Sequence, residues 1–214
     1  MATGNASLAE QAYQILLDRL VMLEIQPGDP MNEQQLASDL DMGRTPIREA
    51  LKRLETDHLV DNYPRQGTFA SRIDIGDLAF VSEMRLVLEP HAAFRAAKDA
   101  SEANREAMSA LAKQIAPLVA ENTPKQDLLH FDLGVHRSIY KALDNPYLQE
   151  TLVRLDNLAT RLWMSVLDRV PVVANHVEEH VALLGAIVEG RAEEAAEIAR
   201  DHVQSFEKVV RAAL

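Results

Sequence analysis

The sequence predicts a mainly α protein in two parts: a small helical unit closed by a β-hairpin over residues 1–72, and an all-α helical bundle over residues 73–214. Three observations carry this. Only 5% of the 214 residues are aromatic while 47% are apolar, and such a composition favours helices over a β-sandwich. Apolar residues recur at helical spacing through most of the chain. The stretch that departs from it, "LVDNYPRQGTFAS", reads as two β-prone segments around a turn.

The first helix is predicted from about Ser7 to Glu24, with Tyr13, Leu16, Leu17 and Leu20 as its apolar stripe, and "QPGDP" stops it. A second, short helix starts at an Asn32 cap and buries Leu36 and Leu40. Gly43 lets the chain turn sharply. Thr45 is expected to cap the third helix, with Pro46 in the first turn, where a missing backbone N–H costs nothing. Ile47, Ala50, Leu51 and Leu54 fall on one side of that helix, while Arg44, Arg48 and Lys52 follow one another at i, i+4 and i+8 beside them. The hairpin then turns through Pro64 and Gly67 with Arg65 at its tip. Three short helices, the last two joined by a tight turn, and a hairpin make a winged helix-turn-helix.

Beyond Ile73 six amphipathic helices are predicted, at about Asp77–Asp99, Glu102–Glu121, Pro124–Leu143, Pro146–Val170, Val172–Glu189 and Ala192–Ala213. Ser101, Thr123 and Asp144 are the expected caps, Pro124, Pro146 and Pro171 sit near helix starts, and Gly190 follows a helix end.

The net charge of -11 argues weakly against nonspecific nucleic-acid binding. Distribution matters more. Between Arg44 and Arg72, six basic residues (Arg44, Arg48, Lys52, Arg53, Arg65 and Arg72) face four acidic ones. Positive charge is concentrated on one short segment of an acidic chain. Cysteine is absent, which excludes disulfides and thiolate metal sites. The N-terminal residues show no basic stretch leading into an apolar one, and no apolar run approaches the roughly 18 residues of a membrane span. The expectation is a cytoplasmic protein without a membrane partner.

An α-helix fits the major groove, where Arg donates two bonds to guanine and phosphates attract nearby Lys and Arg. The segment Arg44–Arg48 is the part expected to reach bases. Taken alone, the helix reads equally well as a solvated one whose arginines pair with Glu49 and Glu55. The short helix before it, the turn and the basic-tipped hairpin favour DNA.

In the second part, Asp132 and His136 lie one turn apart on the packing stripe formed by Leu129, Leu133, Ile139, Tyr140 and Leu143. His180 points with Val177, Leu184 and Ile187, and His202 with Ala195, Ile198, Ala199, Phe206 and Val209. Each histidine alone reads as a satisfied core residue. Together, one Asp and three inward His suit zinc, with nickel or manganese as alternatives, and leave coordination positions for water or a ligand. His58 and His91 lie elsewhere, His130 falls off the stripe, and His176 precedes His180 by one turn.

"RTPIREALKRLETDHLV" followed by "PRQGTFA" resembles the signature of the GntR family of bacterial transcription regulators, over about residues 8–72. The resemblance implies that Arg44, Thr45 and Arg48 contact an operator and that Arg65, Gln66, Gly67 and Thr68 of the wing enter or line the minor groove. Residues 74–212 are similar to the FCD effector-binding domain of the FadR-type branch, on "EMRLVLEPHAAFRAA", "FDLGVHRSIYKALDNPYL", "EEHVALLGAIVEG" and "AEEAAEIARDH". That similarity implies Asp132, His136, His180 and His202 as metal ligands and a small carboxylic acid as effector. It also matches Arg85 to an effector-binding Arg; an intrahelical pair with Glu89, at i+4, is the alternative. The implied protein is a homodimer on a roughly palindromic double-stranded operator. The alternatives are a metal-dependent helical-bundle enzyme with an accessory DNA-binding domain, or a regulator that senses the metal itself.

Overall fold

The computed structural model describes residues 6–121, 123–170 and 173–214. The chain divides into two compact units, Met1–Ile73 and Asp74–Leu214.

The first unit contains α1 (Leu8–Val21), α2 (Glu33–Asp39), α3 (Arg44–Thr56), β1 (Val60–Tyr63) and β2 (Gly67–Ala70). Ser7 caps α1 by accepting the Glu10 amide at 3.1 Å. The stripe of α1 packs along α3, and Leu16, Leu20, Ile47 and Leu54 lose all exposure to water. Each such side chain contributes about 1.5–3 kcal/mol, so these two helices hold the core of the unit. Asn32 caps α2 as expected, accepting the amides of Gln34 and Gln35. Leu40 is only half-buried.

At the start of α3 the expectation needs correction. Gly43, not Thr45, occupies the cap position, and no side chain caps the helix. The first helical N–H groups have no intrahelical partner in any case. Pro46 therefore fits the third helical position as well as the first, and the helix gains two residues, Arg44 and Thr45. Thr45 is thereby exposed, with its hydroxyl free of a capping role.

The wing pairs antiparallel, Val60 opposite Ala70 and Tyr63 opposite Gly67. Arg65 stands at its tip with φ 65°, next to the Gln66 amide that donates to the Tyr63 carbonyl at 3.0 Å. Two further backbone bonds, Met31 N–H to Thr68 O (2.8 Å) and Ala70 N–H to Asp29 O (2.9 Å), tie the wing to the chain entering α2. They hold wing and helix starts in one place.

The second unit is α4 (Asp77–Asp99), α5 (Glu102–Ala120), α6 (Lys125–Lys141), α7 (Pro146–Val166), α8 (Ala174–Val188) and α9 (Ala192–Ala212). A 3-10 turn, Leu167–Arg169, extends α7. The predicted helix start at Val172, like Pro171, lies outside the described residues. Ser101 caps α5 as expected. Asp144 does not cap α7; Pro146 is the first helical residue, so Asn145 takes the cap and accepts the Leu148 amide at 3.1 Å. Thr123 donates instead to the Leu118 carbonyl at 2.7 Å, closing the end of α5. Gly190 adopts φ 75° after α8, where a side chain would be strained. α4 packs along α9 and also meets α6, α7 and α8, and α8 packs on α9, so five helices enclose one interior. Among the described residues, no helix is long and apolar enough to cross a membrane.

Candidate DNA-reading face and candidate metal centre

The apolar side of α3 is buried through Ile47, Ala50, Leu51 and Leu54, which leaves Arg44, Thr45, Arg48 and Lys52 exposed. Arg65, Gln66 and Gly67 are exposed on the wing, and Thr68 is half-buried beside them. A concavity of about 390 Å³ brings Arg44, Gln66, Gly67 and Thr68 together with Asn32, Glu33 and Gln34. Arg48 is not free. Its NH2 group bonds Glu33 at 2.8 Å and its Nε lies 3.2 Å from both carboxylate oxygens, an exposed fork that lowers the pKa of Glu33 chiefly through the Arg48 hydrogen bond. Glu33 was not singled out from the sequence. Arg53, counted there with the basic segment, turns away to α1: it bonds Glu10 at 2.6 Å and lies 3.8 Å over the Tyr13 ring.

In the second unit Asp132, His136, His180 and His202 are all buried, and their donor atoms lie within 4.8 Å of one another. The geometry is convergent. His180 Nε2 and His202 Nε2 each stand 3.3 Å from His136 Nε2, and Asp132 Oδ2 is 3.8 Å from the same atom. Three imidazoles thus present Nε2 to one point from α6, α8 and α9. Asp132 Oδ1 and His180 Nδ1 make no hydrogen bond although they are 3.4 Å apart, so the cluster holds buried polar atoms still in need of a partner.

Arg85 lies inside, 3% exposed, with Nε 2.6 Å from Glu89 and NH2 3.8 Å from Asp156. The i+4 pair expected as its alternative is formed. Glu89 in turn approaches His136 Nδ1 at 3.4 Å, where the Tyr140 hydroxyl also bonds at 3.2 Å. Arg85 therefore engages two buried carboxylates, those of Glu89 and Asp156, in the interior that also holds Asp132.

Burial and neighbouring charges set the titration of the cluster. Burial pushes His180 well below its ordinary value, and burial, with the neighbouring His176 charge, brings His202 down to about 4. Both stay neutral, the form that ligates. Burial also disfavours charge on His136, but Asp156 and Glu89 outweigh it and push it up to about 9. A proton there does part of what a metal ion does completely. Burial lifts Asp156 to about 6. The donor set and the orphaned atoms fit a divalent ion.

Glu89, Asp156 and Glu179, whose carboxylate bonds His202 Nδ1 at 2.8 Å, were missed as members of this centre. For Asp156 the signal existed, since Leu152, Asp156, Ala159 and Trp163 share one helical face. His176 is buried against Trp163, 4.4 Å between ring centres. His58, His91 and His130 are exposed.

Comparison with known proteins agrees with this two-part construction. Residues 81–205 match the FCD domain model, and residues 8–70 match the model of bacterial regulatory proteins of the gntR family. The chain is similar to the HTH-type transcriptional repressor RspR of Escherichia coli K12, 22% identical over 94% of this chain and 88% of the relative. It is also similar to the Nta operon transcriptional regulator of Aminobacter aminovorans, 38% identical over 34% of each chain. Among solved structures, E. coli McbR/YncC superposes with a TM-score of 0.84 at 20% identity, covering 97% of this chain and 99% of that one. A GntR regulator from Rhodococcus sp. RHA1 superposes with a TM-score of 0.76 at 18% identity, over 98% and 100%. Both curated relatives are named as transcription regulators. The chain belongs to the GntR family of bacterial regulatory proteins, of the FadR type with an FCD domain, and is a DNA-binding transcription regulator.

Proposed function

We propose that this regulator reads its operator with the exposed face of the first unit and takes its signal at a divalent metal ion held by Asp132, His136, His180 and His202 in the second. The convergence of three Nε2 atoms beside an unpartnered carboxylate oxygen carries the reading. Arg44, Thr45 and Arg48 contact bases and phosphates, and Arg65, Gln66, Gly67 and Thr68 follow the wing into the minor groove. Zinc is the favoured ion, with nickel or manganese accepting the same donors. Four protein ligands leave positions open on an ion that expands its coordination, and a small carboxylic acid fills them. Arg85 reaches this centre through Glu89, which lies 3.4 Å from His136 Nδ1, and assists the acid although Glu89 and Asp156 already engage it.

A homodimer on a palindromic operator completes the reading, in the cytoplasm where the DNA is. Phe80, Met84 and Val87 support the dimer: they leave an exposed apolar stripe at i, i+4 and i+7 on α4 that a second copy would cover. The acid acts only if it binds two dimer geometries unequally. The engagement of Arg85 favours one second reading, in which the metal itself is the signal.

Full-length protein is used to select duplexes from a random DNA library, and affinity for the selected site is measured after chelation, with zinc, and with zinc plus a panel of small carboxylates. The expected result is a two-fold symmetric site whose affinity changes with an acid only when zinc is present. A response to zinc without acid selects the second reading. An affinity indifferent to both sinks the metal-centred account.

A further inference from the structure

The inference concerns Glu179 and rests on the metal reading above. A neutral imidazole has one N–H and one lone pair, so a histidine that ligates through Nε2 must carry its proton on Nδ1. In a buried ring that N–H needs an acceptor, because an unmade bond there is costly. For His202, 2% exposed, the acceptor is Glu179 Oε2 at 2.8 Å. A carboxylate only accepts, so the pairing settles the tautomer: Nδ1 donates, and Nε2 keeps its lone pair on the side where His136 Nε2 lies at 3.3 Å.

The carboxylate is itself held. Ser205, one turn after His202 on α9, donates its hydroxyl to Glu179 Oε1 at 3.0 Å, so each oxygen has its own partner. The plane of the imidazole is fixed separately, since His176 stacks on His202 with ring centres 3.9 Å apart and Trp163 backs His176. His176 Nδ1, 3.4 Å from Glu179 Oε2, forms no hydrogen bond with it. His136 has the same plan at lower precision, its Nδ1 facing Glu89 at 3.4 Å. For His202 and His136 the carboxylate facing Nδ1 lies outside the four ligands, whereas for His180 it is the ligand Asp132, at 3.4 Å.

We infer that Glu179 is the positioning residue of the metal centre: anchored by Ser205, it fixes His202 in the tautomer and rotation that present Nε2 to the ion. Its place on the chain fits the role, since it precedes the ligand His180 on α8 and reaches across to the ligand on α9. The same three groups, His176, Glu179 and His202 Nδ1, also lie close enough to hold an ion of their own. That arrangement requires His202 to give up its last proton and ligate through both nitrogens. The short contact to Glu179 is instead the geometry of a retained proton.

The test uses the full-length protein freed of metal with a chelator, then titrated with zinc(II) and cobalt(II), as wild type, Glu179→Ala, Glu179→Gln and Ser205→Ala. Wild type is expected to take up one ion per chain. Glu179→Ala should bind it about 10- to 100-fold more weakly and shift the visible cobalt spectrum, with the metal-free helicity unchanged. Glu179→Gln keeps an acceptor for Nδ1–H, so it should recover most of the spectrum and part of the affinity; Ser205→Ala should show a smaller loss than Glu179→Ala. Unchanged affinity and spectrum in Glu179→Ala overturn the inference, and so do two ions per chain in wild type. Wild type that binds no ion overturns the metal reading first, which is a different result in a different sample.

Discussion

Two arginines, Arg48 on α3 and Arg85 on α4, each form a forked or close pair with a glutamate, and the two pairs do different work. Arg48 and Glu33 meet at 60% and 34% side-chain exposure. Water and salt screen that pair, so it holds Arg48 loosely and gives it up to a better acceptor such as a base edge or a phosphate. Arg85 and Glu89 meet at 3% and 4% exposure, with Asp156 close by. There the guanidinium lies against two desolvated carboxylates, and losing it leaves both short of counter-charge. A reading surface has to keep its charges exchangeable, whereas a buried centre has to balance them within itself. The same chemistry becomes a recognition element in one unit and a structural and ligand-binding element in the other.

The comparison breaks first at Arg85. Arg85→Ala should destabilise the second unit by about 3–5 kcal/mol, because the buried carboxylates lose their counter-charge. Thermal unfolding reads this directly, and a variant as stable as wild type removes the charge-balance account. Somewhat smaller is the effect of metal. Zinc at about a hundredfold above its dissociation constant should stabilise the folded chain by about 2.7 kcal/mol, an increment that His180→Ala abolishes and Arg48→Ala leaves intact. Equal stabilisation in His180→Ala would place the ion elsewhere.

Arg48→Ala sharpens the contrast from the other side. Its unfolding temperature should match wild type, while its binding to selected DNA weakens and the salt slope of that binding falls by about 1. Retained binding with an unchanged slope would take Arg48 off the DNA. Smaller again is Asn32→Ala at the start of α2, where losing the cap to two amides should cost about 1 kcal/mol of stability. No measurable change there would mean that the wing's backbone bonds alone fix this corner.

Much of this construction was legible in the residues. Helical phase placed Asp132, His136, His180 and His202 inward, and all four are buried. The two β-prone stretches around Pro64 and Gly67 predict the wing, and Asn32, Ser101 and Gly190 sit where their chemistry puts them. What phase cannot show is which inward residues meet. Glu89 and Asp156 share a centre with His136 because α4, α6 and α7 enclose one interior, a fact of tertiary packing. Glu179 escaped notice for a related reason: half-exposed beside His180, it looks like a surface acid until α9 brings His202 within 2.8 Å. The misplaced caps, Thr45 for Gly43 and Asp144 for Asn145, are errors of one or two residues at helix ends, where several short polar side chains compete for one role.

The metal content of the purified full-length chain, measured by elemental analysis beside a His180→Ala variant prepared identically, tests the central claim most directly. The account predicts about one divalent ion per chain, zinc foremost, in wild type and a large loss in the variant. No metal in either protein, even after incubation with zinc, nickel and manganese, would contradict it.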